Sequence, residues 1–485
     1  MTQKQLVKNS LTYVTLGFLP LAVNLFLAPL YSSYISPEEY GMVALATIFQ
    51  SLLSVVIGMG LDGAFSRLYF DYFKKEELVN ALMSTVLISI ILISILLGLA
   101  MLVLGNTLFE LVLNNEKFTY TKYGQFVFFT SFSTIIHTVF LSYYRNVENV
   151  KSYSLVALSF FFSSVVGIVL GVVYFKAEAL GNIAGRAIGT SLISSILIFV
   201  FFLRHRFTFK LSYLKQCFTY SLPLVPYLLI LAAYNNVDKY MVEQFFQLET
   251  LGLYNFAFLL ASVISVLIYS MFNALSPRIY KLLTEGVRTS LGEARNINSV
   301  FHLVVVGLIC LGIALIIPII RLVIASGYHS IENYIAILIL VYVFQLYYVL
   351  YTIPIFYAKK TKILPWASLG VLIAGVLSNY LFIPYFGILG VCLALVCTKL
   401  TQFLIVFVYV SYCEKNMTYL ALGKNHLITL IILVLFGSLF ILNHKLEVVP
   451  HFILNTVPII VYLALSIAFF RPEIKSISKL IPKSN

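Results

Sequence analysis

The sequence predicts an all-α integral membrane protein with about fourteen spanning helices, arranged as two pseudo-symmetric six-helix bundles followed by two further helices. Three observations predict it. Of the 485 residues, 61% are hydrophobic and 11% charged, whereas a soluble domain is about a quarter charged. So little charge cannot cover a water-facing surface. The apolar stretches are continuous and roughly 20 residues long, the length that crosses a hydrocarbon core as a helix. In that core backbone N–H and C=O groups must pair within the protein, which leaves helices or a closed barrel. Runs that do not alternate select helices.

Taken in order, the apolar runs place helices at residues 11–35, 40–61, 80–104, 120–144, 153–175, 180–203, 217–237, 251–276, 298–320, 332–357, 363–383, 387–411, 426–443 and 450–470. The first run is longer than the apolar core of a secretory signal, so it reads as a spanning helix and no cleaved leader is expected. A tight turn at Pro384 to Gly387 separates helices eleven and twelve, and helices thirteen and fourteen are short. The segment from Arg278 to Asn298 is the longest polar loop, with mixed charge that suits an amphipathic surface helix.

Loop charge sets the orientation. With the N-terminus inside, Lys74, Lys75, Arg145, Lys151, Arg204, Arg206, Lys359, Lys360 and Lys362 all fall on inner segments. Cytoplasmic loops collect Lys and Arg, so an even helix count with both termini cytoplasmic is expected. The same bias accounts for the net charge of +13. No basic globular segment exists to read nucleic acid, and no nucleic-acid partner is expected.

A repeat divides the chain. Pro37-Glu38-Glu39-Tyr40-Gly41 through Ala46 opens helix two, and Leu248-Glu249-Thr250-Leu251-Gly252 through Ala257 opens helix eight. Each has Glu, then Gly three residues on, then Ala five further. Leu180-Gly181-Asn182-Ile183-Ala184 and Phe386-Gly387-Ile388-Leu389-Gly390 open helices six and twelve. Together they predict two halves in the same orientation, related by an axis along the membrane normal. The expected organisation is a six-helix bundle at 1–203, a cytoplasmic linker at 204–216, a second bundle at 217–411, and two additional helices with a tail at 412–485.

Catalytic motifs are missing. No Walker loop, dinucleotide glycine fingerprint, HExxH or G-x-S-x-G is present, so the chain is not expected to be an enzyme or to hold a cofactor. Cys217, Cys310, Cys392, Cys397 and Cys413 fit no disulfide framework or zinc site; free thiols and no metal are expected.

Charges within spanning helices are the strongest functional pointers, because they are costly to place there. Lys399 lies about twelve residues into helix twelve, about 18 Å deep. Arg186 lies about six residues into helix six. The functional reading is a cationic cavity for an anionic headgroup; the structural one is an internal pair, or an Arg186 that reaches the interface. Asp62, Arg67, Arg145, Asp238 and Lys239 close helices and either ring a cavity mouth or anchor the interface. His137 and His302 are proton carriers or simply hydrogen-bonded core residues. Pro20 and Pro29 in helix one, and Pro223 and Pro226 in helix seven, kink the first helices of both halves, which suits hinges as well as static packing. Asn24, Asn235, Asn236, Asn255, Asn273 and Asn379, with Tyr234, Tyr254, Tyr347, Tyr348 and Tyr351, suit either a sugar-compatible lining or interhelical contacts.

Seven stretches carry a resemblance. They are Ser36-Pro37-Glu38-Glu39-Tyr40-Gly41, Gly60-Leu61-Asp62-Gly63-Ala64 with Arg67-Leu68-Tyr69, Tyr143-Tyr144-Arg145-Asn146, Tyr220-Ser221-Leu222-Pro223-Leu224-Val225-Pro226, Asp238-Lys239-Tyr240, Gly252-Leu253-Tyr254, and Ile383 through Gly390. In this order they resemble the polysaccharide transporter family, which includes Wzx-type flippases of the MATE-like superfamily. The resemblance implies two six-helix bundles around a central cavity. It implies carriage of undecaprenyl-pyrophosphate-linked oligosaccharide across the bacterial inner membrane, for O-antigen, capsule or exopolysaccharide, as part of polysaccharide or lipopolysaccharide biosynthesis. Cationic cavity residues are a theme of the family, which Lys399 and Arg186 would satisfy. By family analogy a polysaccharide polymerase and a chain-length regulator are expected partners. The rivals are a MATE-type cation or drug antiporter, a lipid II-type flippase and a non-transporting scaffold. Helices one and seven show no carboxylate at depth in the sequence, which counts against cation antiport.

Overall fold

A computed structural model describes residues 26–113, 115–285, 288–413, 423–446 and 457–465. They are helical with short connections, and no strand occurs among them. Eleven helices are long and apolar enough to cross a membrane: α2 (Pro37–Tyr72), α3 (Glu76–Val112), α4 (Tyr120–Asn146), α5 (Val150–Tyr174), α6 (Glu178–Arg204), α7 (Leu211–Tyr234), α8 (Leu248–Glu285), α9 (Ser290–Val323), α10 (Ile335–Tyr357), α11 (Ile363–Phe386) and α12 (Ile388–Tyr412). They match predicted helices two to twelve. Before them, α1 (Ala28–Tyr34) is the end of the first predicted helix, whose start lies outside the described residues. After them come α13 (Gly423–Leu446) and α14, residues 457–465. The protein is a multi-pass membrane protein.

The family-like stretches have local physical causes. Ser36 caps α2: its Oγ accepts the Glu39 N–H at 3.4 Å, Pro37 takes the first helical position, and Glu38 and Glu39 place negative charge in the first turn. Each suits a helix start, where backbone donors lack partners. Met59 and Gly60, both at positive φ, break α2 in two. Gly387 makes the turn between α11 and α12 with φ +57°, a conformation glycine adopts without a Cβ penalty.

Two expectations change. The helix predicted at 80–104 runs Glu76–Val112, 37 residues, so it measures about 55 Å and exceeds a hydrocarbon core of about 30 Å. The described residues of the polar segment 278–298 belong almost entirely to the ends of α8 and α9, joined by Arg278 and Glu293 at 2.6 Å. Paired charges let both helices continue past the apolar stretch.

By internal contacts the chain forms two compact units, Met1–Phe256 and Ala257–Asn485. The core of the first is built from Phe65, Leu82, Val86, Ile136, Phe140 and Cys217. The segment between α6 and α7 is shorter than the predicted linker, because α7 is already helical from Leu211. It is also strapped down: the Thr208 N–H donates to Ser84 Oγ at 2.9 Å, and the Lys210 N–H to Thr85 Oγ1 at 3.2 Å.

Helices α5 and α6 meet along small residues. A methyl added at Gly167, Gly171 or Gly189 would strike the backbone of Gly185, Gly181 or Ser163 respectively. Such close backbone approach replaces the hydrophobic effect as a driving force within lipid. The start of α2 crosses the start of α8 in the same way. A methyl on Gly41 would strike the Leu248 carbonyl, and one on Gly252 the Pro37 carbonyl. The repeat carries Pro37 onto Leu248 and Gly41 onto Gly252, so this contact is reciprocal between its two copies.

In the second unit α11 and α12 pack by the same device. A methyl on Gly390 would strike the Phe382 carbonyl, and Ser378 Oγ lies 3.4 Å from the Ala394 carbonyl.

Candidate functional site

Lys399 lies midway along α12 and is half-buried. Thr398 before it is buried, its Oγ1 donating to the Ala394 carbonyl at 2.7 Å. On α11, Asn379 is buried; its Nδ2 donates to the Gly375 carbonyl at 2.7 Å, and its Oδ1 has no partner among the described residues.

Arg186 is half-buried in α6. It hydrogen-bonds the hydroxyl of Tyr31 in α1, which also meets Asn182. Tyr31 and Asn182 are both buried. Arg67 is exposed and paired with Asp71 at 3.1 Å, one helical turn away. Exposed pairs of that kind contribute about 0.3–0.5 kcal/mol. Arg145 is exposed at the end of α4, with Nη2 3.4 Å from Ser142 Oγ. Arg145 acts on Tyr153 and Arg204 on Tyr144, so these cations gather at one end of the bundle. Arg186 lies 18 residues before Arg204 on α6, about 27 Å along the helix. The first unit therefore does not bring Arg186 together with Arg67 and Arg145.

The prolines separate by surroundings. Pro20 and Asn24 lie outside the described residues. Pro29 opens α1, and its carbonyl accepts from Ser32 and Ser33 Oγ at 2.9 Å each. Pro223 sits in a 3-10 turn, Leu222–Leu224, and Pro226 starts the next helical stretch, Val225–Tyr234. Helix α7 is thus interrupted where the prolines remove backbone donors.

Several tyrosines offered as a sugar-compatible lining are packed inside. Tyr234, Tyr254, Tyr347 and Tyr351 are buried. Tyr351 lies edge-on to Phe403 and Phe407. His137 is buried, with its ring stacked on Phe160 at 4.0 Å.

Sequence reasoning placed Asp238 and Lys239 at a helix end but missed Glu243 beside them and the burial of all three. The short helix Val237–Phe245 follows α7 and contains Asp238, Lys239 and Glu243, all buried. Tyr254 donates to Asp238 Oδ2 at 2.6 Å, and Gln244 Nε2 to Glu243 Oε2 at 2.6 Å. Burial lowers the Lys239 ammonium from its ordinary range, and the Asp238 carboxylate opposes that shift. Tyr240 and Gln244 reach the Val112 carbonyl, each at 3.3 Å. The nine residues mix Asp238, Lys239, Glu243 and Gln244 with Val237, Met241, Val242 and Phe245, so the sequence alone does not show which face is covered. The carboxylates missing from the sequence view of helix seven are therefore present just beyond it. No His, Cys, Asp and Glu cluster fit for a metal occurs among the described residues. Cys217, Cys310, Cys392 and Cys397 are free thiols.

Fold and site together define a multi-pass helical membrane protein with cations and carboxylates placed inside helices. The chain belongs to the family described as polysaccharide biosynthesis protein, whose model matches residues 6–283. Among solved structures it is similar to the lipid II flippase MurJ in an inward closed conformation, at 18% identity and TM-score 0.71, over 95% of this chain and 99% of that one. It is also similar to an inward-facing multidrug resistance MATE family transporter of the MOP superfamily, at 15% identity and TM-score 0.67, over 82% and 96%. A third is the MATE multidrug transporter DinF-BH, at 15% identity and TM-score 0.60, over 87% and 97%. At these identities the likeness is one of fold. A comparison with curated proteins found no match.

Proposed function

We propose that the protein is a flippase that carries undecaprenyl-pyrophosphate-linked oligosaccharide from the inner to the outer leaflet of a bacterial inner membrane, with both termini cytoplasmic. Membership of the polysaccharide biosynthesis family carries this reading. The lipid II flippase with the same fold acts on a lipid-linked substrate, which supports it.

Lys399 and Arg186 attract the pyrophosphate, since charge-assisted contacts to phosphate strengthen where water is scarce. Arg67 and Arg145 offer cations near one mouth of the path. The polyprenyl tail stays in lipid. Alternating access exposes the headgroup to each side in turn, with flexing at the interrupted α7 near Pro223 and Pro226. No bond is made or broken, so no catalytic group or cofactor is required. O-antigen, capsule and exopolysaccharide units are the candidate cargoes, and a polymerase and chain-length regulator are the candidate partners.

Cation or drug antiport is the second reading, and Asp238 and Glu243, buried just beyond α7, favour it, because cation exchange wants a carboxylate shielded from bulk water. Reconstitution separates the two. Vesicles containing the protein and a polyprenyl-pyrophosphate oligosaccharide are probed with a membrane-impermeant glycosidase. Flipping predicts protein-dependent exposure of the glycan, reduced roughly tenfold or more by Lys399→Ala if one charged phosphate contact is worth about 1.5–3 kcal/mol. Dye or cation exchange without glycan exposure would move the assignment to antiport. Full activity of Lys399→Ala would remove that residue from the mechanism.

A further inference from the structure

The turn between α10 and α11 concentrates unbalanced positive charge where two spanning helices end. It reads Ala358-Lys359-Lys360-Thr361-Lys362, and its three lysines are exposed. From Asn333 to Cys413 the chain contains no Asp or Glu, so the lysines have no acid in their own segment. The end of α8 packs beside the turn, with the Tyr280 ring stacked on Tyr357 at 6.4 Å between centroids. Carboxylates on that side are already engaged: Glu293 pairs with Arg278, and Glu285 accepts from Ser290 Oγ at 2.8 Å. Neither Lys359 nor Lys362 has an ion-pair partner among the described residues.

The backbone singles out Lys359. Helix α10 ends with the Lys360 N–H donating to the Ile355 carbonyl at 2.9 Å and the Lys359 N–H to the Phe356 carbonyl at 3.2 Å. This pairing puts Lys359 in the left-handed region, at φ +57°, a place that glycine usually fills. A lysine there bears a backbone penalty that glycine avoids, although its charge suits the carbonyl end of a helix. The helix end accounts for a cation after α10. It does not account for Lys362, which precedes α11.

Aromatic residues flank the lysines within the two spans. Phe356 and Tyr357, the last residues of α10, are exposed, and Trp366 in the first turn of α11 is 71% exposed. Lys362 enters α11 with helical dihedrals, so Trp366 lies one turn further along the same face. Tryptophan and tyrosine favour the headgroup level of a bilayer. Ammonium groups therefore sit at the water edge, with rings next to them on the lipid side. Trp366 is also the one tryptophan in the whole sequence.

We propose that the α10–α11 turn is a docking surface for an anionic phospholipid of the surrounding bilayer. Lys359, Lys360 and Lys362 hold the headgroup phosphate, and Phe356, Tyr357 and Trp366 lie against the acyl chains. Basic residues clustered beside a spanning helix attract acidic headgroups, whereas a zwitterionic headgroup offers them no net charge. The surface fits a lipid because charge and rings are adjacent and both are exposed. The inference stands apart from the flippase reading, since it needs neither cargo nor transport.

Trp366 lets the site report on itself. Full-length protein in phosphatidylcholine vesicles is quenched with brominated-chain phosphatidylglycerol or brominated-chain phosphatidylcholine at equal mole fraction. The expected result is a relative binding constant about fivefold or more in favour of phosphatidylglycerol, the worth of one lysine near a charged membrane surface, shrinking as salt is raised. Lys359→Gly removes an ammonium and suits the local backbone, so it should weaken the preference with no fall in thermal midpoint. Lys359→Gly combined with Lys362→Gln should abolish the preference, while Lys362→Arg should keep it. Equal quenching of wild type by the two lipids would overturn the proposal, and so would a preference unchanged in the double variant. Quenching by neither lipid would show that the chain itself covers the surface, and would also overturn it. Competition by a polyprenyl-pyrophosphate oligosaccharide but not by unbrominated phosphatidylglycerol would reassign the surface to cargo and reject the phospholipid.

Discussion

Arg186 and Lys399 are both half-buried cations in spanning helices, but they keep different company. Arg186 is fixed to the buried hydroxyl of Tyr31, so its position is set by α1 as well as α6. Lys399 follows buried Thr398 on α12. The densest set of buried charges is elsewhere, in the nine residues Val237–Phe245. There the Tyr254 hydroxyl bonds Asp238 Oδ2 at 2.6 Å. Removing it in Tyr254→Phe leaves a buried carboxylate short of a donor, a loss of about 1–3 kcal/mol. Thermal unfolding of the purified protein should show a lower midpoint; an unchanged midpoint would mean that water or another group satisfies Asp238. Lys399 was legible in the sequence because a lone Lys interrupts an apolar run. Asp238 was legible as a helix-end charge, but its burial and the part played by Glu243 were not, because a stretch mixing polar and apolar residues gives no sign of which face is covered. Burial there comes from chain segments far away in sequence, including the end of α3 at Val112.

At the scale of elements, helix number and most boundaries follow from hydropathy, since apolar length is set by the bilayer. The departures share one cause. Hydropathy marks where lipid ends, not where helix ends, and α3, α8 and α9 all continue past it. In α3 the extension carries Phe109, which stacks on Phe49 at 4.2 Å and lies 5.7 Å from Phe118. In α8 and α9 it carries the Arg278–Glu293 pair. The repeat stretches also acquire a physical meaning as elements. Gly41 and Gly252 are conspicuous in the sequence as an echo, and in three dimensions they are where the two echoes touch. Gly41→Val or Gly252→Val would force α2 and α8 apart against backbone, not against a side chain that could rotate. Overpacking usually costs about 1–3 kcal/mol, sometimes more, so each variant should accumulate poorly in membranes, with Gly63→Ala, where a methyl meets nothing, as the tolerated control. Normal yield and melting of both valine variants would show that this crossing opens at little cost.

For the molecule as a whole, the sequence view and the structure agree on an all-helical membrane protein. The packing boundary at Phe256 differs from the repeat boundary near the α6–α7 connection. The reason lies in particular contacts: Asn236 bonds Ser51 at 3.0 Å, Tyr72 bonds Gln216 at 2.7 Å, and the α6–α7 connection is held by Ser84 and Thr85. Sequence repeats report ancestry and register; packing reports which elements hold one another now. The two additional helices are also tied in, since α13 and α14 place Asn425, Thr429 and Tyr462 against Ser299, His302 and Leu303 of α9. This accounts for polar residues in α9 that hydropathy alone leaves without a role.

The central claim is that the protein moves a polyprenyl-linked glycan. Mass spectrometry of polyprenyl-pyrophosphate lipids, after depletion of this protein in its native host, tests it most directly. The account predicts build-up of a sugar-linked carrier together with loss of surface polysaccharide, and the accumulated species would identify the cargo. An unchanged lipid profile in a host without a second flippase would contradict it and move the assignment to cation antiport.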